Sequence, residues 1–360
     1  MMPLVLGMVM ILTVLWETFE TIILPRRVRR RFRLTRLYYS STWLTWATLA
    51  RRISRRQQRE ALLSFFGPIS LLGLLALWAV GLVLGFALVH YGSFSQLRTD
   101  SASLGFSIYL YFSGTTFFTL GLGDVAPVNW LARELTTLEA GVGFGFLAIV
   151  IGYLPVIYQS FSRREVIISM LDARAGSPPT ATELLRRHGK DRSLESLDEL
   201  FRDWEHWSAE LLESHLSYPV LAYFRSQHDN QSWLGALTTI LDASAIVMAG
   251  LNGRSSSQAR LTFAMARHTV VDLSQVFNTQ PDFQSVNRLS DTDLHHLHMA
   301  LRAAGLDPED PEGQRLVHLR RMYEPYVVAL ARYLQMDLPS WIPSSLQKDN
   351  WQTTAWEKDE

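Results

Sequence analysis

The chain contains no cysteine. That excludes a disulfide framework and thiolate metal sites, and it leaves the compartment open. It has no net charge either, because 34 basic residues balance 34 acidic ones. The balance is not local. Between Arg26 and Arg59 there is no acidic residue at all, and Glu60 is the first to oppose a dense arginine block. The run from Leu62 to Tyr91 lacks Asp, Glu, Lys and Arg altogether. No nucleophile–base constellation stands out, so nothing points to an enzyme or to a bound cofactor. Alternating strand patterns are missing too, which favours an all-α reading.

What is present is apolar length. Of 360 residues, 48% are hydrophobic, and they gather in three runs. The first, Pro3 to Leu24, is interrupted by Glu17 and Glu20. A secretory signal is the alternative for an N-terminal apolar stretch, but such signals carry their basic residues before the run, not after it. The second, Leu62 to Tyr91, is long enough to cross a bilayer core, which takes about 20 residues. The third, Leu135 to Phe161, is broken only by Glu139.

Arginine-rich loops stay on the cytoplasmic side. The arginine block is therefore expected inside, as part of a membrane protein and not as a nucleic-acid-binding surface. The second run then exits and the third returns at Arg163 and Arg164. The first run places the N-terminus outside, and everything after Arg163 is expected in the cytoplasm. Within the basic segment, Trp43, Trp46, Ala50 and Ile53 fall at helical spacing between Leu37 and Ile53. This suits a helix lying on the inner lipid leaflet, or equally one packed on protein.

Residues 101–128, between the second and third runs, are too apolar for a solvated loop. Leu104 to Phe118 reads as a helix of roughly 22 Å, too short to cross. It leads into Thr119-Leu120-Gly121-Leu122-Gly123-Asp124. Irregular backbone at membrane depth is tolerated only where protein buries it or where it lines a water-filled path.

Span, half-helix, glycine-alternating stretch and span resemble the potassium channels, whose pore signature is Thr-Val/Ile-Gly-Tyr/Phe-Gly-Asp. Thr119, Gly121, Gly123 and Asp124 match it, and Leu120 is a conservative substitute. Pro127, Arg133 and Gly143 also fall where many members have such residues. The resemblance covers roughly Leu62 to Tyr158. It implies a filter in which backbone carbonyls replace the water shell of a potassium ion. Glycine permits the positive φ that turns carbonyls to one side, Thr119 adds a hydroxyl ring, and Asp124 adds negative charge at the outer mouth. Leu122 departs from the pattern, since it stands where most members have an aromatic. The second pore segments of animal two-pore-domain channels use leucine there. Tyr111, Phe112, Phe117 and Phe118 are candidates to pack behind the strand. One pore segment per chain implies a homotetramer, and potassium in the filter is the only metal ion expected.

The third run carries Gly141, Gly143, Gly145, Gly152 and Pro155. Close packing and a gating hinge are both open readings, with Gly143 and Pro155 the gating candidates. Glu139 is an ionisable residue within a span, which marks it as a functional candidate or as a partner of the filter's scaffold. Glu17 and Glu20 are expected to pair with the nearby arginines. No arginine repeat lies within a span, so a voltage sensor of that kind is not expected.

Beyond the breaker-rich 175–179 the pattern is helical. Ser193 to Leu212 opens with a Ser-x-x-Glu capping signature. Helical patterns follow over Trp233 to Leu251, Arg254 to Phe277, Ser290 to Ala304 and Pro311 to Leu334. The absence of Gly-x-Gly-x-x-Gly after a strand argues against a nucleotide-binding regulatory domain. His295 and His298, beside Asp291 and Asp293, are set as possible metal ligands against a solvated helix start. Ser217-Tyr218-Pro219 and residues 228–232 are polar clusters suited to capping or to a ligand site.

The expected architecture is an all-α membrane protein. It comprises an N-terminal transmembrane helix (1–25), a basic cytoplasmic or interfacial segment (26–61), a potassium-channel-like pore domain (62–161) and a linker (162–179). A cytoplasmic α-helical domain (180–337) and a disordered tail (338–360) complete it. The expected function is a potassium-preferring channel subunit in the cell membrane. Its helical domain regulates or assembles the pore and offers a place for a ligand or protein partner. A non-selective cation pore and a non-conducting membrane sensor or scaffold are the alternatives.

Overall fold

The computed structural model describes the chain except for residues 25–32, 100–104, 191–193, 228–229, 253–255, 285–286, 344–348 and 353–360. Five arginines of the basic block (Arg26, Arg27, Arg29, Arg30 and Arg31), together with Leu104, Ser193, His228 and Asp229, lie outside the described residues. Contacts divide the chain into two compact units. Residues 1–49 and 65–159 form the first, and residues 50–64 and 160–360 the second.

The first unit is built from five helices. α1 is Met2–Thr18, followed by one π turn, Phe19–Ile23. α2 is Leu34–Arg51, α3 is Arg56–Gly92, α4 is Phe106–Phe117 and α5 is Trp130–Ala175. Both α3 and α5 run on into the second unit. The stretches Met2–Ile23, Arg56–Gly92 and Trp130–Ala175 are long and apolar enough to cross a membrane. These helices form because every backbone group in an apolar run must be paired internally.

α1 approaches α3 through small residues. A Cβ on Gly7 would come within 2.5 Å of the Gly85 carbonyl oxygen, the close contact that small residues permit between membrane helices. Val14, Leu74, Leu75, Trp78, Leu82, Val83 and Phe117 form the apolar core of this unit. At the end of α1, buried Glu17 accepts hydrogen bonds from the Thr35 amide (3.1 Å) and hydroxyl (2.9 Å). Glu20 lies 3.8 Å from the Arg33 guanidinium and accepts a bond from the Trp16 indole (2.7 Å). Glu20 thus meets an arginine as expected, and Glu17 holds Thr35. α2 packs on protein. Trp43 is buried edge-on against Phe66 of α3 (4.9 Å between centroids), and the Tyr38 hydroxyl donates to Ser70 O. Its opposite face exposes Leu37, Leu44 and Leu49.

The half-helix α4 is shorter than the sequence suggests, with 12 residues, or about 18 Å. A two-strand antiparallel pair, β1 (Leu97–Arg98) and β2 (Ala126–Pro127), brackets it and the stretch that follows. Asn129 closes this bracket by accepting from the Gln96 amide (3.3 Å) and from the Ala132 amide at the start of α5 (3.2 Å).

In the second unit, α5 continues unbroken to Ala175, so the linker expected from residue 162 is helix over most of its length. Six of the remaining helices are α6 (Ala181–Lys190), α7 (Leu194–Ser217), α8 (Trp233–Ala249), α9 (Ser257–Phe277), α10 (Asp291–Ala303) and α11 (Gln314–Arg321). The last, α12, is Glu324–Leu334, so the single helix read over Pro311 to Leu334 is two. α7 is described from Leu194, and Ser193, where the capping signature is read, lies outside the described residues. α8 is buried along nearly its whole length. Threonines stitch α9 to α7: Thr262 donates to Phe201 O (2.7 Å) and Thr269 to Ser208 O (3.0 Å).

Burying α8 also buries Asp242, and the fold answers with Arg288 (2.8 Å) and the Tyr323 hydroxyl (2.5 Å). Burial alone would lower the Arg288 pKa, but the Asp242 carboxylate beside it raises it. Burial, and then Asp242, push the Tyr323 phenol well up.

The tail expected to be disordered from residue 338 is anchored at two points. Trp341 is buried, with its ring 5.7 Å from the Arg288 guanidinium and 5.4 Å from that of Arg320, and its carbonyl accepts from Thr182. Asp349 pairs with Arg187 at 2.8 Å. Aromatic area and a buried ion pair hold a segment whose composition alone reads as loose.

Candidate functional site

The site is the stretch 119–124 between α4 and β2. Its backbone alternates: Thr119, Gly121 and Gly123 have φ of 57°, 57° and 82°, with Leu120 and Leu122 between them outside the positive region. Glycine takes such values at no steric cost, whereas a β-branched threonine there is an outlier. Thr119 at positive φ thus marks strain held by its surroundings. The stretch hangs from the end of α4. The Leu120 amide donates to Thr115 O at 2.7 Å and the Thr119 amide to Thr116 O at 3.0 Å. All six residues are exposed in the single chain.

At the outer end, the Tyr111 hydroxyl donates to Asp124 at 2.8 Å. The other aromatics expected behind the strand are used elsewhere. Phe112 is buried with Leu97 and Tyr109, Phe117 belongs to the core with Val83 and Leu82, and Phe118 is exposed. Leu122 is 64% exposed in the single chain, so no aromatic of its own chain covers it as the sequence suggests.

α5 fixes the end of α4 at two successive turns. Gly143 is buried, and a Cβ there would lie 2.1 Å from the Phe117 carbonyl oxygen. Here glycine serves close packing. One turn earlier, Glu139 is fully buried and shares a hydrogen bond with the Ser113 hydroxyl of α4. Its other oxygen lies 3.3 Å from His90 Nε2, at the end of α3. Glu139 was legible as an ionisable residue in a span. His90 and Ser113 were not singled out, although a histidine inside a run otherwise free of charge was the available signal. Gly141, Gly145 and Gly152 meet nothing within 4 Å in the single chain, and Phe144, Leu147 and Ile151 beside them are exposed. Pro155 lies inside α5, exposed.

In the second unit, Arg164 of α5 is buried. It donates to Leu221 O (2.9 Å) and Phe224 O (2.8 Å) and lies 3.3 Å from His215 Nε2. Burial, and then the Arg164 charge, hold the His215 imidazole well below the usual histidine range. A cavity of about 690 Å³ is lined by Arg56, Glu60, Arg225, Asn230, Gln231 and Asp337 among others, so part of the 228–232 cluster faces it. Its charges are paired, Arg56 with Asp337 at 2.9 Å and Arg225 with Glu60 at 3.6 Å. Burial draws the Arg225 pKa down.

The metal reading of the histidine cluster does not hold. Among the described residues no group of three potential ligands comes together. Asp293 instead completes a capping box with Ser290, and His298 turns inward while His295 is exposed. Ser217 donates to Glu213, and Tyr218 caps the short turn Pro219–Tyr223, so that cluster is structural.

Residues 74–159 match the family described as "Ion channel". A curated protein of Bacillus subtilis (strain 168), described as an uncharacterized membrane protein, YdjJ, is 25% identical over 213 residues. The match takes in 59% of this chain and 60% of that protein, so the chain spans well under two thirds of the length of its relative. No solved structure matches the chain.

Proposed function

On the premise that residues 74–159 are a potassium-channel-type segment of the ion channel family, we propose that this chain is one subunit of a homotetrameric, potassium-preferring channel. The observation that carries the proposal is the alternation of positive φ at Thr119, Gly121 and Gly123. This alternation turns successive carbonyls the same way, as a ring of dehydrating oxygens requires. Each chain supplies one oxygen per ring level, so closure takes four copies about an axis. The exposed face of α5 around Gly141, Gly145 and Gly152 has room for neighbouring copies. The C-terminal end of the α4 dipole carries partial negative charge that favours a cation. Asp124, held by Tyr111, adds charge at the mouth.

The helical unit, proposed to lie in the cytoplasm, tunes the pore. α5 links the two directly, since one unbroken helix carries Gly143 beside the pore half-helix and Arg164 in the helical unit. Pro155 lies between them, without an amide to donate, and is the compliant point. The charged cavity beside the start of α3 is the proposed place for a small polar ligand.

The exposure of Leu122 favours weaker selectivity than an aromatic filter gives, which keeps a poorly selective cation pore as the second reading. The test is the reversal potential of the purified protein in liposomes under bi-ionic potassium and sodium. Wild type should prefer potassium, Leu122→Tyr should strengthen the preference, and Gly123→Ala should abolish current, because alanine at φ near +82° costs about 1–2 kcal/mol in every subunit. Equal passage of both ions with no gain in Leu122→Tyr would establish the second reading. Unchanged currents in Gly123→Ala would refute the pore assignment.

A further inference from the structure

The buried polar network behind the filter stretch is unusual for a membrane interior. Glu139, His90 and Ser113 are each fully buried and come from α5, α3 and α4. Ser113 Oγ bonds the Glu139 carboxyl and also lies 2.8 Å from Val83 O of α3. His90 joins Glu139 through Nε2 and Ser95 Oγ through Nδ1, at 3.3 and 3.0 Å. Ser95 continues the chain, since its carbonyl accepts from the Tyr109 hydroxyl of α4 (3.0 Å). α4 is thus tied near both ends to groups anchored on α3 and α5. An apolar trio would pack these helices at least as stably, because burying a carboxylate and an imidazole is costly. What an apolar trio does not supply is a unique register.

We propose that Glu139 is a positioning residue for ion selection: with Ser113 and His90 it sets the height of the pore half-helix, and through that helix the filter. The geometry is specific. Ser113 and Phe117 are four residues apart on α4, and Glu139 and Gly143 are four apart on α5. Residues at that spacing share a helix face. The two contacts, Ser113 with Glu139 and Phe117 O with Gly143, therefore form successive rungs between the same two helices. A slip of one turn, about 5.4 Å, would bring Glu139 to the level of Phe117. The carboxyl would then have no hydroxyl to meet, in a place that water does not reach. Thr115, whose carbonyl holds the Leu120 amide, lies between the rungs. A half-helix fixed at 113 and 117 fixes the first carbonyls of the filter.

This rests on the channel reading above, and the test is chosen to separate the two. The full-length protein is purified into nanodiscs as wild type, Glu139→Leu, Glu139→Gln and Ser113→Ala. Two quantities are measured: the rise in dissociation temperature of the tetramer in potassium over sodium chloride, and the potassium-to-sodium permeability ratio. Glu139→Leu should assemble, lose most of the potassium-specific rise, and show a ratio lowered at least about fivefold. Glu139→Gln keeps both hydrogen-bonding arms and should recover most of both. Ser113→Ala, the smallest change, should fall between, and it serves if Glu139→Leu does not assemble. The proposal is overturned if an assembled Glu139→Leu, or Ser113→Ala in its place, keeps both quantities within about twofold of wild type. It is also overturned if Gln recovers no more than Leu. Wild type with a potassium-specific rise but no flux refutes conduction alone, and the lock is still read from the rise. Wild type with neither refutes the channel reading and the positioning role together.

Discussion

Replacing Gly143 by alanine tests the packing that places the filter. The new Cβ would lie 2.1 Å from the Phe117 carbonyl oxygen, 2.9 Å from its carbon and 3.1 Å from its Cα. All three atoms are backbone, so no rotamer change relieves the overlap. A carbon–oxygen contact settles near 3.3 Å, so α4 and α5 must separate by about 1.2 Å at this turn. Overpacking of this kind costs about 1–3 kcal/mol, against roughly 1 kcal/mol regained from alanine's better helix propensity. The net loss is about 0–2 kcal/mol per subunit, repeated in each copy, and it moves the carbonyls that begin the filter. The assay is the dissociation temperature of the purified assembly, with potassium flux in liposomes. Gly143→Ala should lower both. A Gly143→Ala protein that matches wild type in both measurements would refute the close contact between α5 and the end of α4.

Two further outcomes are expected. Tyr111→Phe removes the hydroxyl that holds Asp124; current should decay faster under sustained potassium gradients, and an unchanged time course would show that the bond does not brace the mouth. In the helical unit, burial and the Arg164 charge depress the His215 pKa in the folded state well below the usual histidine value of about 6.5, so the unfolded chain binds the extra proton first. Its contribution to stability is complete above that value and is lost as pH falls below it, by at most about 1.4 kcal/mol per pH unit. His215→Gln should flatten the acid limb of the unfolding temperature, and identical limbs would show that His215 is not held neutral.

The three long apolar helices were legible because membrane physics leaves few options: a charge-free run of that length must be a helix. The helical ends were less legible. α4 stops at Phe117, because tertiary contacts decide the last turn. The described part of the tail differs for a related reason: Trp341 looks like a stray aromatic in a polar segment until the Arg288 and Arg320 guanidinium groups are seen against its ring.

The filter's support was the least legible part, and the reason is general. Sequence reasoning offered the aromatics nearest in the chain, Tyr111, Phe112, Phe117 and Phe118, as candidates, and of these Tyr111 bonds the stretch through its hydroxyl. The support comes from residues distant in sequence. Glu139 and Gly143 on α5 reach Ser113 and Phe117 on α4, and His90 joins from α3. None of the three is informative alone: a glycine in a span usually reads as packing, a glutamate as an anomaly and a histidine as neutral filler. Their meaning is in the matched spacing of four on two stretches of chain, distant in sequence, that meet only on folding. A leucine at position 122 demands little of its own surroundings, and a half-helix pinned at two rungs asks less of the side chain between the filter glycines. If the stretch is a filter as proposed, the rigidity that other filters draw from an aromatic comes here from one layer further out, between α4 and α5.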